Sequence, residues 1–153
     1  MTLLLFACTA GADSAEPVDT GPFPDGVLAL RFDMDHDYRD AMDEPAVGPF
    51  VGSFWRADEV DALGPIEGAV DLGGIAVGEV DLTGDATGVL FTSADLPPIE
   101  VVVLGFMDSD GNADPDSPDP EAKDPVTLPH ENGFDVVSGE TTEVTVYFGF
   151  IHP

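Results

Sequence analysis

The sequence predicts an all-β protein, an antiparallel β-sandwich of about seven strands, with a small β-barrel as the alternative. Apolar residues recur at every second position, as strands with one buried face require, and not at the spacing of helices. The 153 residues include 17 Gly and 14 Pro, which separate the apolar runs with turns. No window of helical length lacks Gly, Pro or a strand pattern, so we expect single helical turns at most, near 38–42 or 58–63.

Seven segments carry the strand pattern. In the first, Leu28, Leu30 and Phe32 fall on one face and polar residues on the other. The run from Ile99 to Met107 is apolar almost throughout, which predicts a central strand covered on both faces. Short strands bounded by Gly, Pro and Asp turns are typical of a sandwich or small barrel. The seven segments are 27–34, 50–55, 75–82, 89–92, 99–107, 134–137 and 142–151.

The charge of the chain excludes one class of partner. The sequence has 31 acidic residues and 4 basic ones, a formal net charge of −27. Nucleic acid is excluded as a partner, because binding phosphate requires Lys and Arg. The charge is suited to solubility at high salt, to divalent cations or to a basic partner. Solubility in a saline habitat is the alternative that needs no specific site.

The single cysteine, Cys8, follows the apolar run Leu3–Ala7. The segment Leu5-Phe6-Ala7-Cys8 resembles the lipobox of bacterial lipoproteins, in which a small residue precedes the lipidated cysteine. No Lys or Arg precedes the run, and it is shorter than a usual signal-peptide core. We interpret residues 1–8 as a truncated signal and lipidation segment. The alternative is an accidental match, with the run packed against the core as an edge strand.

The composition after Cys8 agrees with this interpretation. Residues 9–25 are mostly small residues, Pro and acids, which predicts a flexible acidic tether. Residues 26–153 then form a single β-sandwich domain. The lipobox resemblance implies an exported protein on the outer membrane or cell surface that meets the membrane only through a lipid anchor at Cys8.

An acidic loop follows the most apolar predicted strand. It resembles calcium loops of the DxDxN/D type, in which oxygen ligands at alternate positions surround one hard cation. Ala113 stands where an EF-hand has Gly, and Pro115 and Pro118 forbid the exiting helix. The loop is therefore expected to bind Ca²⁺ on a β scaffold, with a solvated acidic loop as the alternative. The predicted ligands are Asp108, Asp110, Asn112, Asp114, Asp116 and Asp119.

A second acidic segment, with Asp33, Asp35 and Asp37 as candidate ligands, follows the first predicted strand. If both strands end on the same side of the fold, the two groups of carboxylates would converge. Crowded like charges are costly without a cation, which is the physical basis of the calcium prediction.

No motif predicts catalysis. Ser53 lacks the glycine that closes a nucleophile elbow, and the three His residues have no zinc-ligand spacing. The apolar strand leading into Asp108 also resembles transthyretin-like and carboxypeptidase-regulatory-like β-sandwiches, which implies a non-catalytic accessory module. The sequence thus predicts an exported, lipid-anchored binding or structural module with calcium-binding loops. One alternative is a small glycan hydrolase with paired carboxylates near Trp55, where Phe54 and Tyr38 could add a sugar-binding platform. The other is an acidic structural domain without a site.

Overall fold

The computed structural model describes residues 23–42, 45–114 and 119–153. Cys8 and the predicted lipidation segment, most of the predicted tether, and Asp116 lie outside these residues. The described residues contain the helix α1 (His36–Ala41) and one-turn 3₁₀ helices at Ala57–Glu59 and Pro129–Glu131. Their strands are β1 (Val27–Met34), β2 (Val47–Arg56), β3 (Val60–Asp61), β4 (Gly64–Pro65), β5 (Gly73–Asp81), β6 (Phe91–Thr92), β7 (Glu100–Met107), β8 (Pro125–Thr127), β9 (Gly133–Asp135) and β10 (Thr141–Ile151).

One sheet makes up most of the fold. Its strands follow the order β5-β2-β7-β8-β10-β1-β6, with β9 paired to β7, and the sheet curls into a nearly closed, barrel-like form. A separate hairpin, β3–β4, forms a second small sheet. Pairing is antiparallel except between β1 and β10, which run parallel. The prediction of an all-β fold is confirmed, in the barrel-like form.

The core lies on the inner face of the curled sheet. Alternation along β1, β2 and β10 turns Phe32, Phe50 and Phe148 inward, and each is at most 1% exposed. The ring centroids of Phe32 and Phe50 are 4.9 Å apart, and those of Phe50 and Phe148 are 5.7 Å apart. Aromatic pairs at such distances add to the stabilisation from burial. These three strands are therefore joined by side chains as well as by backbone hydrogen bonds.

The predicted helical turns are found close to their expected positions, at 36–41 and 57–59. Asp35 begins α1, because its carboxylate accepts a hydrogen bond from the backbone N–H of Asp37 at 2.8 Å. Within the described residues, no helix is long and apolar enough to cross a membrane.

The pairing pattern determines which loops share an end of the barrel. β1 is parallel to β10, β10 is antiparallel to β8, and β8 is antiparallel to β7. β1 and β7 therefore run in the same direction, and the acidic segments that follow them leave from the same end. The start of β2 lies there too, since the N–H of Asp108 donates to the carbonyl of Pro49 at 3.0 Å.

Candidate metal centre

Three carboxylates meet at this end of the barrel. Asp108, Asp110 and Asp124 each offer one oxygen, and these oxygens all lie within 4.8 Å of one another. Asp108 directly follows β7 and Asp124 directly precedes β8. Because β7 and β8 pair through Phe106 and Val126, the two aspartates are held close together. Asp110 is exposed, whereas Asp108 is 7% and Asp124 1% exposed.

Asp108 organises the loop that follows it. One of its oxygens accepts hydrogen bonds from the N–H groups of Gly111 at 2.8 Å and Asn112 at 3.1 Å. The other accepts from Ala113 at 3.3 Å. Gly111 has a φ of +74°, a left-handed conformation that favours glycine, so the chain can wrap around the carboxylate. A carboxylate has about four acceptor sites, so Asp108 retains capacity for a cation.

Asp124 is the most buried of the three. Its carboxylate accepts from the N–H of Ser109 at 3.2 Å and from that of Glu121 at 3.0 Å. Burial raises the pKa of Asp124 above its ordinary value of 3.8, and the charges of Asp108 and Asp110 raise it further. The two backbone hydrogen bonds oppose this rise in pKa. The ionised form of Asp124 is thus held in a place that disfavours negative charge.

The spacing of the oxygens suits one calcium ion. Calcium binds oxygen at about 2.3–2.6 Å, so ligands on opposite sides of one ion are about 4.8 Å apart. Two carboxylates about 4 Å apart repel each other by roughly 4 kcal/mol at the effective dielectric near a protein surface. A divalent cation among the three would replace this repulsion with attraction.

The other residues of the predicted loop lie differently. The amide nitrogen of Asn112 donates to Asp110 at 2.9 Å, so Asn112 holds Asp110 in place. Asp114 and Asp119 are exposed, and neither belongs to the group of three carboxylates that the described residues form. Asp116 lies outside the described residues. Two of the six predicted ligands are therefore brought together, and Asp124 joins them instead of the rest.

The second predicted segment shares this end of the barrel without joining the cluster. Asp33 accepts from the N–H of Met34 at 2.8 Å and lies 3.6 Å from the guanidinium of Arg39. Asp35 caps α1, and Asp37 is exposed in its first turn. The metal-ligand group found among the described residues contains none of these three. In the structure Asp35 serves as the helix cap and Asp33 pairs with Arg39.

Sequence reasoning missed Asp124. Its position depends on β8, a strand of three residues that is too short to show alternation. The available signal was a lone Asp-Pro pair just before Val126, which by itself predicts only a turn. The ligand set depends on the pairing of β7 with β8, which local sequence patterns do not reveal.

The aromatic residues considered for sugar binding do not form one surface. Phe54 is 2% exposed and belongs to the core, whereas the next residue, Trp55, points to the outer face of the sheet. Tyr38 lies on α1, at the other end of β2. Adjacent residues of a strand face opposite sides, so Phe54 and Trp55 cannot share a platform.

Comparisons of the chain with protein-family models, curated protein sequences and solved structures find no match. The class that the fold and site define is an all-β, barrel-like protein with a partly buried acidic cluster at one end. The resemblances to bacterial lipoproteins and to transthyretin-like domains stay predictions from the sequence.

We expect the metal-free protein to become more stable relative to Asp124→Asn as the pH falls from neutral towards 3.8. The raised pKa of Asp124 means that its stabilising contribution is present below the ordinary pKa of 3.8 and is lost as the pH rises through the folded-state value. Melting temperatures of both proteins in metal-free buffer across this window measure the effect. A difference that stays constant with pH, or that changes in favour of the variant on acidification, would contradict the assignment.

Proposed function

We propose that this protein is a non-catalytic calcium-binding module in which Asp108, Asp110 and Asp124 hold one Ca²⁺. The observation that carries the proposal is the burial of two like charges, on Asp108 and Asp124, within the diameter of one calcium coordination shell. Such burial is costly for ionised groups unless an opposite charge accompanies them.

The ion would join two parts of the chain. Asp108 and Asp110 belong to the loop after β7, and Asp124 ends the segment that leads into β8. The hydrogen bonds from Ser109 and Glu121 to Asp124 already connect the two segments. A cation bound by all three carboxylates would link the loop after β7 to the segment before β8 more strongly than these hydrogen bonds do. Ion binding would therefore stabilise this end of the barrel, since a ligand that binds only the folded state adds its binding free energy to folding.

Calcium should raise the melting temperature of the full chain. At a concentration 100 times the Kd, binding adds about 2.7 kcal/mol, which corresponds to roughly 5–10 °C for a domain of this size. Magnesium should do less, because it prefers fewer protein ligands and keeps its waters. Differential scanning calorimetry in calcium, in magnesium and in sodium chloride of equal ionic strength, with chelator reversal, measures this.

The sodium chloride arm separates the proposal from the view that the acids provide only solubility. Equal stabilisation by sodium chloride and by calcium would show general screening of the net charge of −27 and no specific site.

We also propose, from the sequence alone, that the domain is exported and anchored to the outer membrane or cell surface through lipid on Cys8. The lipobox-like segment 5–8 and the acidic stretch after it support this. Mass spectrometry of the native protein from a membrane fraction should find Cys8 at the mature N-terminus with acyl chains. An unmodified Cys8 thiol would refute the anchor and leave the calcium proposal untouched.

A further inference from the structure

A second face of the sheet, outside the barrel core, is also apolar. Along β7, Val101, Val103 and Met107 point into the core, whereas Val102 and Phe106 point outward and yet are only 5% and 4% exposed. They are opposite Trp55 and Val51 of β2 in the strand pairing. An outward face this apolar is unusual for a strand that faces water, and it needs a cover.

The described residues cover this face only in part and leave a cavity of about 640 Å³ over it. Its walls include Trp55, Leu104, Phe106, Val126, Leu128 and, on the β3–β4 hairpin, Leu63. The Leu63 side chain is 98% exposed at the tip of the hairpin. At the tip, the N–H of Leu63 donates to the Asp61 carboxylate at 2.8 Å. An apolar side chain is thus held in water beside an apolar cavity.

An acidic cavity of about 540 Å³ adjoins the apolar one and shares Ala62 and Pro129 with it. Asp61, Glu100 and Glu131 line it together with His130. Among the described residues, no Lys or Arg lines either cavity. We call the two adjoining cavities together the β7 trough, which is acidic near Glu100 and mostly apolar near Phe106, where Asp119 and His152 also contribute to the wall.

The length of the β7 trough suits an extended peptide. Glu100 and Phe106 are six residues apart on one strand, which corresponds to about 20 Å. This is the span of six or seven extended residues, longer than a compact small molecule. The charge complementarity requires basic groups at one end and apolar side chains at the other.

We propose that the β7 trough binds an extended segment of a partner protein in which apolar side chains adjoin basic ones. The apolar side chains lie against Trp55, Leu104 and Leu128, beside Leu63. The basic ones lie beside Asp61, Glu100 and Glu131. A second copy of this chain is disfavoured as the occupant, because it carries the same net charge of −27. Residues 1–22 contain no Lys or Arg and cannot supply the basic end.

The chain contains its own reporter, because Trp55 is its only Trp. The probe is the synthetic peptide acetyl-Leu-Phe-Leu-Gly-Lys-Arg-Lys-amide, titrated into the full chain while Trp55 emission is followed. We expect a saturable change in emission and a Kd that weakens between 0.15 M and 0.5 M sodium chloride, since exposed charges are screened. Two further peptides, one with Glu in place of the basic residues and one with Ser in place of the apolar residues, should bind much more weakly.

Substitutions in the β7 trough test whether the peptide binds there. Leu63→Ser and the double variant Glu100→Gln/Glu131→Gln should each weaken the Kd by about tenfold. The matched controls Val70→Ser and Glu79→Gln/Glu140→Gln change exposed residues that line neither cavity, and they should bind as the wild type does. The side chains at all six positions are exposed, so the variants are expected to fold.

Three results would overturn the proposal. One is the absence of a saturable emission change. The second is equal weakening by the control variants, or equal binding of the serine peptide, which would indicate non-specific attraction to an acidic protein. The third is self-association in sedimentation that Leu63→Ser abolishes, which would make a second copy the occupant.

Discussion

Replacing Asn132 with Ala is expected to lower the free energy of unfolding by about 3–5 kcal/mol. Asn132 is 0% exposed, and its side chain makes three hydrogen bonds to the backbone. Its amide nitrogen donates to the carbonyls of Leu128 at 3.0 Å and Tyr147 at 2.9 Å, and its oxygen accepts from the N–H of Tyr147 at 2.7 Å. The Asn132 amide thus bonds both the N–H and the carbonyl of Tyr147, as the backbone of a neighbouring strand would.

The variant leaves these partly buried backbone groups without their partner, and an unsatisfied group costs up to about 1–3 kcal/mol. Chemical denaturation of wild type and variant measures the difference. The matched control is Asn112→Ala in metal-free buffer, because Asn112 is exposed and its amide nitrogen donates to another exposed side chain, that of Asp110. We expect the control to change stability by about 0.5 kcal/mol or less. If both variants lost the same free energy of unfolding, the hydrogen bonds of Asn132 to β10 and to Leu128 would not stabilise the fold.

The second large effect is expected from Phe50→Ala, which should lower the free energy of unfolding by about 3–5 kcal/mol. The Phe50 ring is 0% exposed and contacts the rings of Phe32 and Phe148. It also lies against the facing pair Gly52 and Gly105, where a Cβ on Gly105 would come within 2.6 Å of the tip of the ring. Removing the ring therefore opens a cavity that neighbouring residues, two of them without side chains, cannot fill.

Denaturant unfolding of Phe50→Ala and of the control Phe150→Ala measures this contribution. Phe150 lies on β10 and is 39% exposed, so its loss should cost far less than that of Phe50. If the two substitutions destabilised the protein equally, the aromatic cluster of Phe32, Phe50 and Phe148 would not be the centre of the core.

Strands with clear alternation could be predicted from the sequence, and those without it could not. The bounds of β1 agree with the alternation from 27 to 34, and the apolar run at 99–107 became β7. β8 has three residues and β3 and β4 two each, so none shows a period. The parallel pairing of β1 with β10 joins the two ends of the domain, and local patterns carry no information about it.

The candidate site was predicted in part for the same reason. Asp108 and Asp110 follow a strand that the sequence predicts, so their place at its end was expected. Asp124 directly precedes β8, a strand that the sequence does not predict and that pairs with β7. The acids at 33–37 have a similar composition, but a short helix begins at Asp35 and Arg39 pairs with Asp33. Composition could not distinguish a cap and an ion pair from metal ligands.

Isothermal titration calorimetry of calcium into the metal-free protein tests the central claim most directly. We expect one ion per chain for the wild type and binding at least about tenfold weaker for Asp110→Asn, whose exposed position leaves the fold intact. Asp95→Asn removes an exposed carboxylate outside the cluster and should bind calcium as the wild type does. The absence of saturable binding at one ion per chain, or equal affinities of wild type and Asp110→Asn, would contradict a calcium site at Asp108, Asp110 and Asp124.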